Sequence, residues 1–298
     1  AVRALARYEK VGRLGEGTYG VVYEARDRSS GTRVALKRVR MDRERDGVPV
    51  TALRELRLLR SIDHRHVVRL RRCVAGPPGG AGPRALFLVF DLCAADLAAV
   101  LDRRGGRPLH EPDARCLTLH ILSALAYLHA RRVVHRDVKP TNLLLTARGE
   151  LQLADFGLAR HALPSDGALT PRVATLWYRA PEVALGAERY GPGVDVWAAG
   201  CVFAEMVRGS PLFPGATEAA TVHLALDALG RPGQGQAPGL EGLPRAAEAL
   251  SGGAMAAPAP PAVGSLGAAL LPELGHAGVR FARSLLELEP GRRVCAAE

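Results

Sequence analysis

Apolar and polar positions from Tyr8 to Val39 follow the short-run pattern of strands. Val21, Val22 and Tyr23 form one β-prone run after a group of glycines, Arg33 to Val39 forms a second, and Gly31 marks the turn between them. The period then changes. Over Thr51 to Ser61, Leu53, Leu56 and Leu59 recur at helical spacing with Pro49 just ahead, which predicts a helix with those leucines on its buried face. Gly76 to Pro83 is a Gly/Pro-rich turn, and Ala85 to Phe90 is a continuous apolar strand. From Asp96 onward the helical period dominates. Ala114 to Arg131 carries Leu117, Ile121, Leu125 and Leu128, and Val194 to Val207 is apolar on every side, as a buried helix would be. Arg231 to Pro272 is rich in Gly, Ala and Pro, holds no clear period, and reads as a loose insert; helical pattern returns at Gly278 to Leu288. The plan is α+β: a small antiparallel-sheet lobe with one main helix over residues 1–92, a hinge at Asp91 to Ala95, and a larger, mainly helical lobe over 93–298.

Composition narrows the class. At 298 residues with 48% hydrophobic and 23% charged, the chain can bury a sizeable core and is not a disordered tail. The apolar run Val194 to Val207 is too short to span a bilayer and carries Asp195 and Glu205, so no membrane is expected. There is no initiator Met and no signal-peptide pattern, and the sequence leaves open whether the chain is a fragment. Five cysteines, none in a CxxC pair, fit a reducing intracellular compartment without a zinc site. The net charge of +10 invites a nucleic-acid partner, but the basic residues are dispersed and only three of the 40 are lysines: Lys10, Lys37 and Lys139. A codon bias toward Arg explains that better, and no nucleic acid is expected. Where Lys does appear, its compact ammonium is wanted in place of a planar guanidinium.

Two of those lysines sit in motifs. Gly15-Glu16-Gly17-Thr18-Tyr19-Gly20 matches GxGxxG, and a strand follows it where a dinucleotide fold would have a helix. A glycine loop between strands suits a flap whose N–H groups cover phosphates. Val34-Ala35-Leu36-Lys37 then places a cation at a strand end, with Glu55 on the next helix to hold it. His135-Arg136-Asp137-Val138-Lys139-Pro140-Thr141-Asn142 fits HRDxKxxN. There Asp137 can accept or orient the proton of an attacking hydroxyl, Lys139 can neutralise a phosphate in flight, and Asn142 can hold a metal. Asp155-Phe156-Gly157 follows, then Ala180-Pro181-Glu182, and Asp155 is the second expected ligand of a hard ion such as magnesium.

With these strings in order, the chain resembles a eukaryotic protein kinase with its bilobal fold, from about Tyr8 to the end. Pro49-Val50-Thr51-Ala52-Leu53-Arg54-Glu55 and Thr175-Leu176-Trp177-Tyr178-Arg179 are similar to the cyclin-dependent kinases. Leu169-Thr170-Pro171-Arg172-Val173 looks most like the cyclin-dependent kinase 10 branch, with PITSLRE-type kinases a close alternative. The hinge string from Phe90 to Cys93, and Arg189 to Pro192, are more similar to the cyclin-dependent kinase 9 branch, and the segment after Gly230 lacks the group's usual Trp-containing pattern.

The resemblance implies ATP and magnesium as cofactors. It puts the nucleotide under Leu14, Gly15, Gly17, Gly20 and Val22, against Ala35 and Leu144, with Phe90, Asp91, Cys93 and Asp96 around the base and ribose. It implies that Thr175 touches Asp137 and Lys139, and that Thr170 is phosphorylated by an upstream activating kinase and received by Arg54, Arg136 and Arg160. Thr18 and Tyr19 match inhibitory phosphorylation sites, and Arg179 matches the residue linked to a preference for Pro after the target Ser or Thr. Glu182 and Arg293 are expected to form a buried ion pair. A cyclin docked on Pro49 to Glu55 is expected to swing the helix in, so that the Lys37–Glu55 pair waits on that partner and on phosphate at Thr170. The implied product is a cyclin-dependent Ser/Thr kinase of cell-cycle or transcription control, in the nucleus or cytoplasm by family analogy alone. A catalytically silent scaffold that binds a cyclin-like partner, and a small-molecule phosphotransferase, are the competing readings.

Overall fold

In the computed structural model the described residues are 3–17, 20–39, 50–76, 85–161, 176–233, 235–251 and 265–298. The chain divides into two units, Ala1–Asp96 with Leu144–Leu158, and Leu97–Leu143 with Ala159–Glu298. In chain order the first elements are β1 (Arg3–Ala4), β2 (Tyr8–Gly17), β3 (Gly20–Asp27), β4 (Arg33–Arg38), α1 (Val50–Ser61), β5 (Leu70–Ala75), β6 (Leu86–Asp91) and β7 (Ala95–Asp96). Next come α2 (Leu97–Arg103), α3 (Glu111–Ala130), β8 (Val133–Val134), β9 (Leu143–Leu145), β10 (Leu151–Leu153) and β11 (Arg160–His161). The helices α4 (Pro181–Ala184), α5 (Gly193–Arg208), α6 (Glu218–Leu229), α7 (Pro238–Glu241), α8 (Ala246–Ser251) and α9 (Ser265–Leu285) complete the order.

The first unit is built on a six-stranded sheet in the order β1-β5-β6-β4-β3-β2. Its pairings are antiparallel except that the two-residue β1 joins β5 in parallel, an addition to the expected sheet. The pleat sorts β4 between two faces. Val34 and Leu36 go to a cluster with Tyr8, Ala25, Val74, Phe87 and Val89, whereas Ala35 and Lys37 take the opposite face. Lys10, for which the sequence offers no chemical role, caps that cluster: its ammonium lies 4.0 Å from the Tyr23 ring centroid and 5.1 Å from that of Phe87.

α1 covers the predicted span, but its buried stripe differs. Glu55, Leu58 and Leu59 are buried, as is Ile62 just past the helix end, while Leu56 is only half-buried; the Leu53 side chain lies outside the described residues. The stripe turns because a carboxylate, Glu55, faces inward for an electrostatic partner. β5 was not legible as a strand, its second to fourth residues being Arg71, Arg72 and Cys73.

The second unit is helical. α5 is buried along almost its whole length, as its apolar sequence demands, and stops at Gly209, whose φ of 82° lets the chain turn. A Cβ on Gly200 would lie 2.9 Å from Leu285 and Leu286, so close packing of α5 on α9 needs glycine there. The segment expected to be a loose insert holds α7, α8 and the start of α9 among its described residues. α7 and α8 have 4 and 6 residues, too few to show a period. α9 starts well before the expected Gly278 and kinks at Gly275 (φ 61°).

Candidate active site

Cross-strand register puts Val22, Ala35, Lys37 and Phe90 on one face of the six-stranded sheet, and Asp91, opposite Val34, on the other. Val22 lies opposite Lys37 across β3 and β4, and Ala35 opposite Phe90 across β4 and β6; directly opposed residues share a face. Asp96 is paired with Leu144 across β7 and β9. Gly17 and Gly20 close the β2–β3 ladder, with Gly20 at φ 143°, and Gly15 lies in β2 beside the exposed Leu14. Asp91 is salt-bridged to Arg71. Burial, then the Asp91 charge, pushes the Cys93 thiol up to about 11.

On that same face the Lys37 ammonium lies 2.9 Å from Glu55 Oε1 and 2.8 Å from Asp155 Oδ1. Burial works to strip the lysine of its proton, yet the two carboxylates outweigh it and the Lys37 pKa stays above its ordinary value. The pair with Glu55 is formed in this structure. With Lys37 and Glu55 both largely withdrawn from water, separation would strand the Glu55 carboxylate, while Lys37 keeps Asp155. Asp155 itself holds φ 63°, a left-handed conformation that costs a non-glycine residue about 1–3 kcal/mol. The 3₁₀ turn Phe156–Leu158 that follows packs against α1 with Phe156 buried, which holds the strained residue in place.

In the second unit the HRDxKxxN residues lock one another. Asn142 Nδ2 donates to the Asp137 carbonyl at 2.8 Å and to Asp137 Oδ2 at 2.9 Å, and the Lys139 ammonium lies 2.9 Å from the same oxygen. The Asn142 nitrogen is thus committed to Asp137, which leaves its amide oxygen as the atom to meet a cation. Beneath the loop stands a residue that sequence reasoning noticed only as an argument against a membrane span. Asp195, fully buried in α5, accepts the N–H of His135 (2.8 Å) and of Arg136 (2.7 Å) and pairs with His129 Nε2 at 2.9 Å. Arg136 takes φ 70° to present that N–H. The signal was present: a carboxylate in an apolar helix must find partners.

Arg160 pairs with Val134 across β11 and β8, two residues from Arg136; the Arg160 guanidinium donates to the Ala159 carbonyl at 3.0 Å and that of Arg136 to the Tyr190 hydroxyl at 3.3 Å. The Arg54 side chain lies outside the described residues, as do Thr18, Tyr19, Thr170 and Thr175. Three successive side chains after residue 176 are anchored separately. Trp177 donates to the Gly215 carbonyl at 3.1 Å, Tyr178 to Glu205 at 2.7 Å, and Arg179 is salt-bridged to Glu218.

Residues 8–298 match the protein kinase domain family. The chain belongs to that family. Among the relatives of this kinase is cyclin-dependent kinase 10 of Bos taurus, 43% identical over 247 residues, covering 83% of this chain and 67% of the relative. Cyclin-dependent kinase 10 of Homo sapiens is 43% identical over 242 residues, covering 81% and 66%. Cyclin-dependent kinase C-2 of Arabidopsis thaliana is 40% identical over 253 residues, covering 81% and 49%. The kinase thus spans about two thirds of the mammalian relatives and about half of the plant one. It is of the cyclin-dependent type and consistent with the cyclin-dependent kinase 10 branch.

The expected buried ion pair of the kinase is present and bidentate. Arg293 donates to Glu182 at 2.8 and 3.1 Å, and also to the carbonyls of Gly193 (2.8 Å) and Glu287 (3.0 Å). A cavity of about 600 Å³ beside this pair is lined by His129, Tyr190, Val196, Pro290 and Cys295 among others, and holds none of the HRDxKxxN side chains. No described helix of the kinase is long and apolar enough to cross a membrane.

Proposed function

We propose that this kinase transfers the γ-phosphoryl group of ATP to Ser or Thr followed by Pro in protein substrates, as the catalytic partner of a cyclin. The observation that carries the reading is Lys37, a buried ammonium held charged between Glu55 and Asp155. A positive point charge kept in place on the sheet face is suited to the α- and β-phosphates. By family analogy Asp155 and Asn142 would hold the magnesium of the nucleotide, and each offers an oxygen of the kind a hard cation takes. Bound magnesium would offset charge on the phosphate oxygens as the bond to the leaving group breaks. Asp137, fixed by Asn142 and Lys139, orients the attacking hydroxyl and takes its proton.

Proline direction rests on Arg179. Pro has no backbone N–H, and a surface whose acceptors are already occupied leaves the N–H of any other residue unpaired. Phosphate on Thr170, placed by an upstream kinase and received by Arg54, Arg136 and Arg160, and inhibitory phosphate on Thr18 and Tyr19, complete the reading by family analogy. So do a role in cell-cycle or transcription control and a nuclear or cytoplasmic site of action. The test is radiolabelled γ-phosphate transfer to a Ser-Pro peptide by the kinase recovered with its cyclin by pull-down. Transfer that disappears in Asp137→Asn supports the reading; recovery of a cyclin without transfer makes the protein a scaffold.

A further inference from the structure

Arg179 does not stand alone. Its guanidinium is salt-bridged to one carboxylate oxygen of Glu218, and the other oxygen of Glu218 is salt-bridged to Arg245. Glu218 opens α6, behind the Thr217 cap that accepts the N–H of Ala220 at 3.1 Å, so the helix terminus favours its negative charge as well. Arg245 comes from the Gly/Ala/Pro-rich segment, immediately before α8. It is tied down twice more. Its backbone N–H donates to the Leu185 carbonyl at 3.1 Å, and its Nη1 to the Ala184 carbonyl at 3.2 Å, the end of the short helix that follows Arg179.

We propose that Arg245, acting through Glu218, is a positioning residue for Arg179 and so sets how strongly the kinase requires Pro after the phosphorylated Ser or Thr. The inference rests on the proline-directed reading of Arg179 above. Three charges in one chain of contacts behave differently from an isolated surface pair. Arg179 is largely buried, and its direction is fixed by a carboxylate that is itself held from the far side. Without Arg245 the Glu218 carboxylate has one cationic partner and can rotate about its side-chain torsions. The angle of Arg179 is then less closely fixed from the Glu218 side, and a residue that carries an N–H is excluded less strictly. A segment rich in Gly, Ala and Pro thereby acquires a part in substrate choice.

The test compares Arg245→Ala and Arg245→Lys with wild type in the cyclin complex recovered by pull-down, on paired peptides that differ only as Ser-Pro and Ser-Ala. In Arg245→Ala the ratio of kcat/KM values, Ser-Pro over Ser-Ala, is expected to fall about fivefold, mainly through KM for the Ser-Pro peptide, with KM for ATP unchanged. Arg245→Lys, which keeps the charge, is expected to stay within about twofold of wild type. A ratio unchanged in Arg245→Ala, or an equal loss on both peptides, overturns the inference while leaving proline direction intact. A wild-type enzyme with no preference for Ser-Pro overturns the proline-directed reading first. If Arg245→Ala proves unstable, Arg245→Gln keeps a donor for the Ala184 carbonyl without the charge, and its ratio is judged by the same limits.

Discussion

The backbone N–H of Arg136 donates to Asp195 Oδ1 at 2.7 Å, across 59 residues of sequence, and that bond aims the loop on which Asp137 sits one residue later. Burial alone would raise the Asp195 carboxyl; the His129 hydrogen bond and charge, with the neighbouring loop, overcome it and hold the group below the usual range. A carboxylate depressed in this way contributes stability that is complete above the unfolded Asp pKa, about 3.9, and is lost as pH falls toward the folded value. Asp195→Asn is therefore expected to cost about 3 kcal/mol at pH 7, and to flatten the acid limb of the stability curve. Urea unfolding between pH 3 and pH 7 measures both; a variant with the wild-type slope would remove Asp195 from this role.

Lys37→Met should lower transfer by about a thousandfold, since a phosphate-facing charge is lost. It also leaves Glu55 buried without its cation, so melting should drop as well. Glu55→Gln keeps the shape and should cost less. Because the two side chains touch, the double variant should be less destabilised than the sum of the singles. Strict additivity in thermal melts would mean that the pair is not coupled in solution.

Cys93 is expected to be a poor nucleophile. With its thiol pushed up to about 11 by burial, the thiolate fraction at pH 7.5 is roughly a hundredfold or more below that of an unperturbed cysteine near 8.5. Iodoacetamide labelling followed by peptide mass spectrometry should mark the exposed Cys116 and Cys295 well before Cys93. Cys93 labelling should rise steeply only above pH 9. Early labelling of Cys93 would contradict its raised thiol pKa.

The parts of this molecule that were legible in the sequence are those where local pattern and chemistry coincide. The HRDxKxxN string fixes residue identity through contacts made inside one loop, so Asp137, Lys139 and Asn142 could be read without knowing the fold. α5 was legible because apolar residues on every side leave no alternative to burial. What failed depended on distant partners. The buried stripe of α1 is set by Lys37 drawing Glu55 inward, which leucine spacing alone does not encode. Asp195 serves a loop that precedes it by some 60 residues. Arg245 meets Glu218 through a segment whose short helices form by packing, below the length at which a period can be counted.

Glu182 and Arg293 form the most deeply buried ion pair described, with the arginine side chain wholly withdrawn from water. Two charges in that position are weak evidence for net stability, because desolvation offsets much of their attraction. Their separation is another matter. Arg293→Met strands the Glu182 carboxylate and frees the Gly193 and Glu287 carbonyls, so about 3–5 kcal/mol of stability should be lost. Glu182→Gln leaves the guanidinium with those two carbonyls and should cost less. The ordering is the discriminating result. If denaturant unfolding ranks Glu182→Gln as the more damaging, the carbonyls contribute little, and the attraction of the charges alone fixes the junction of α4, α5 and the residues after α9.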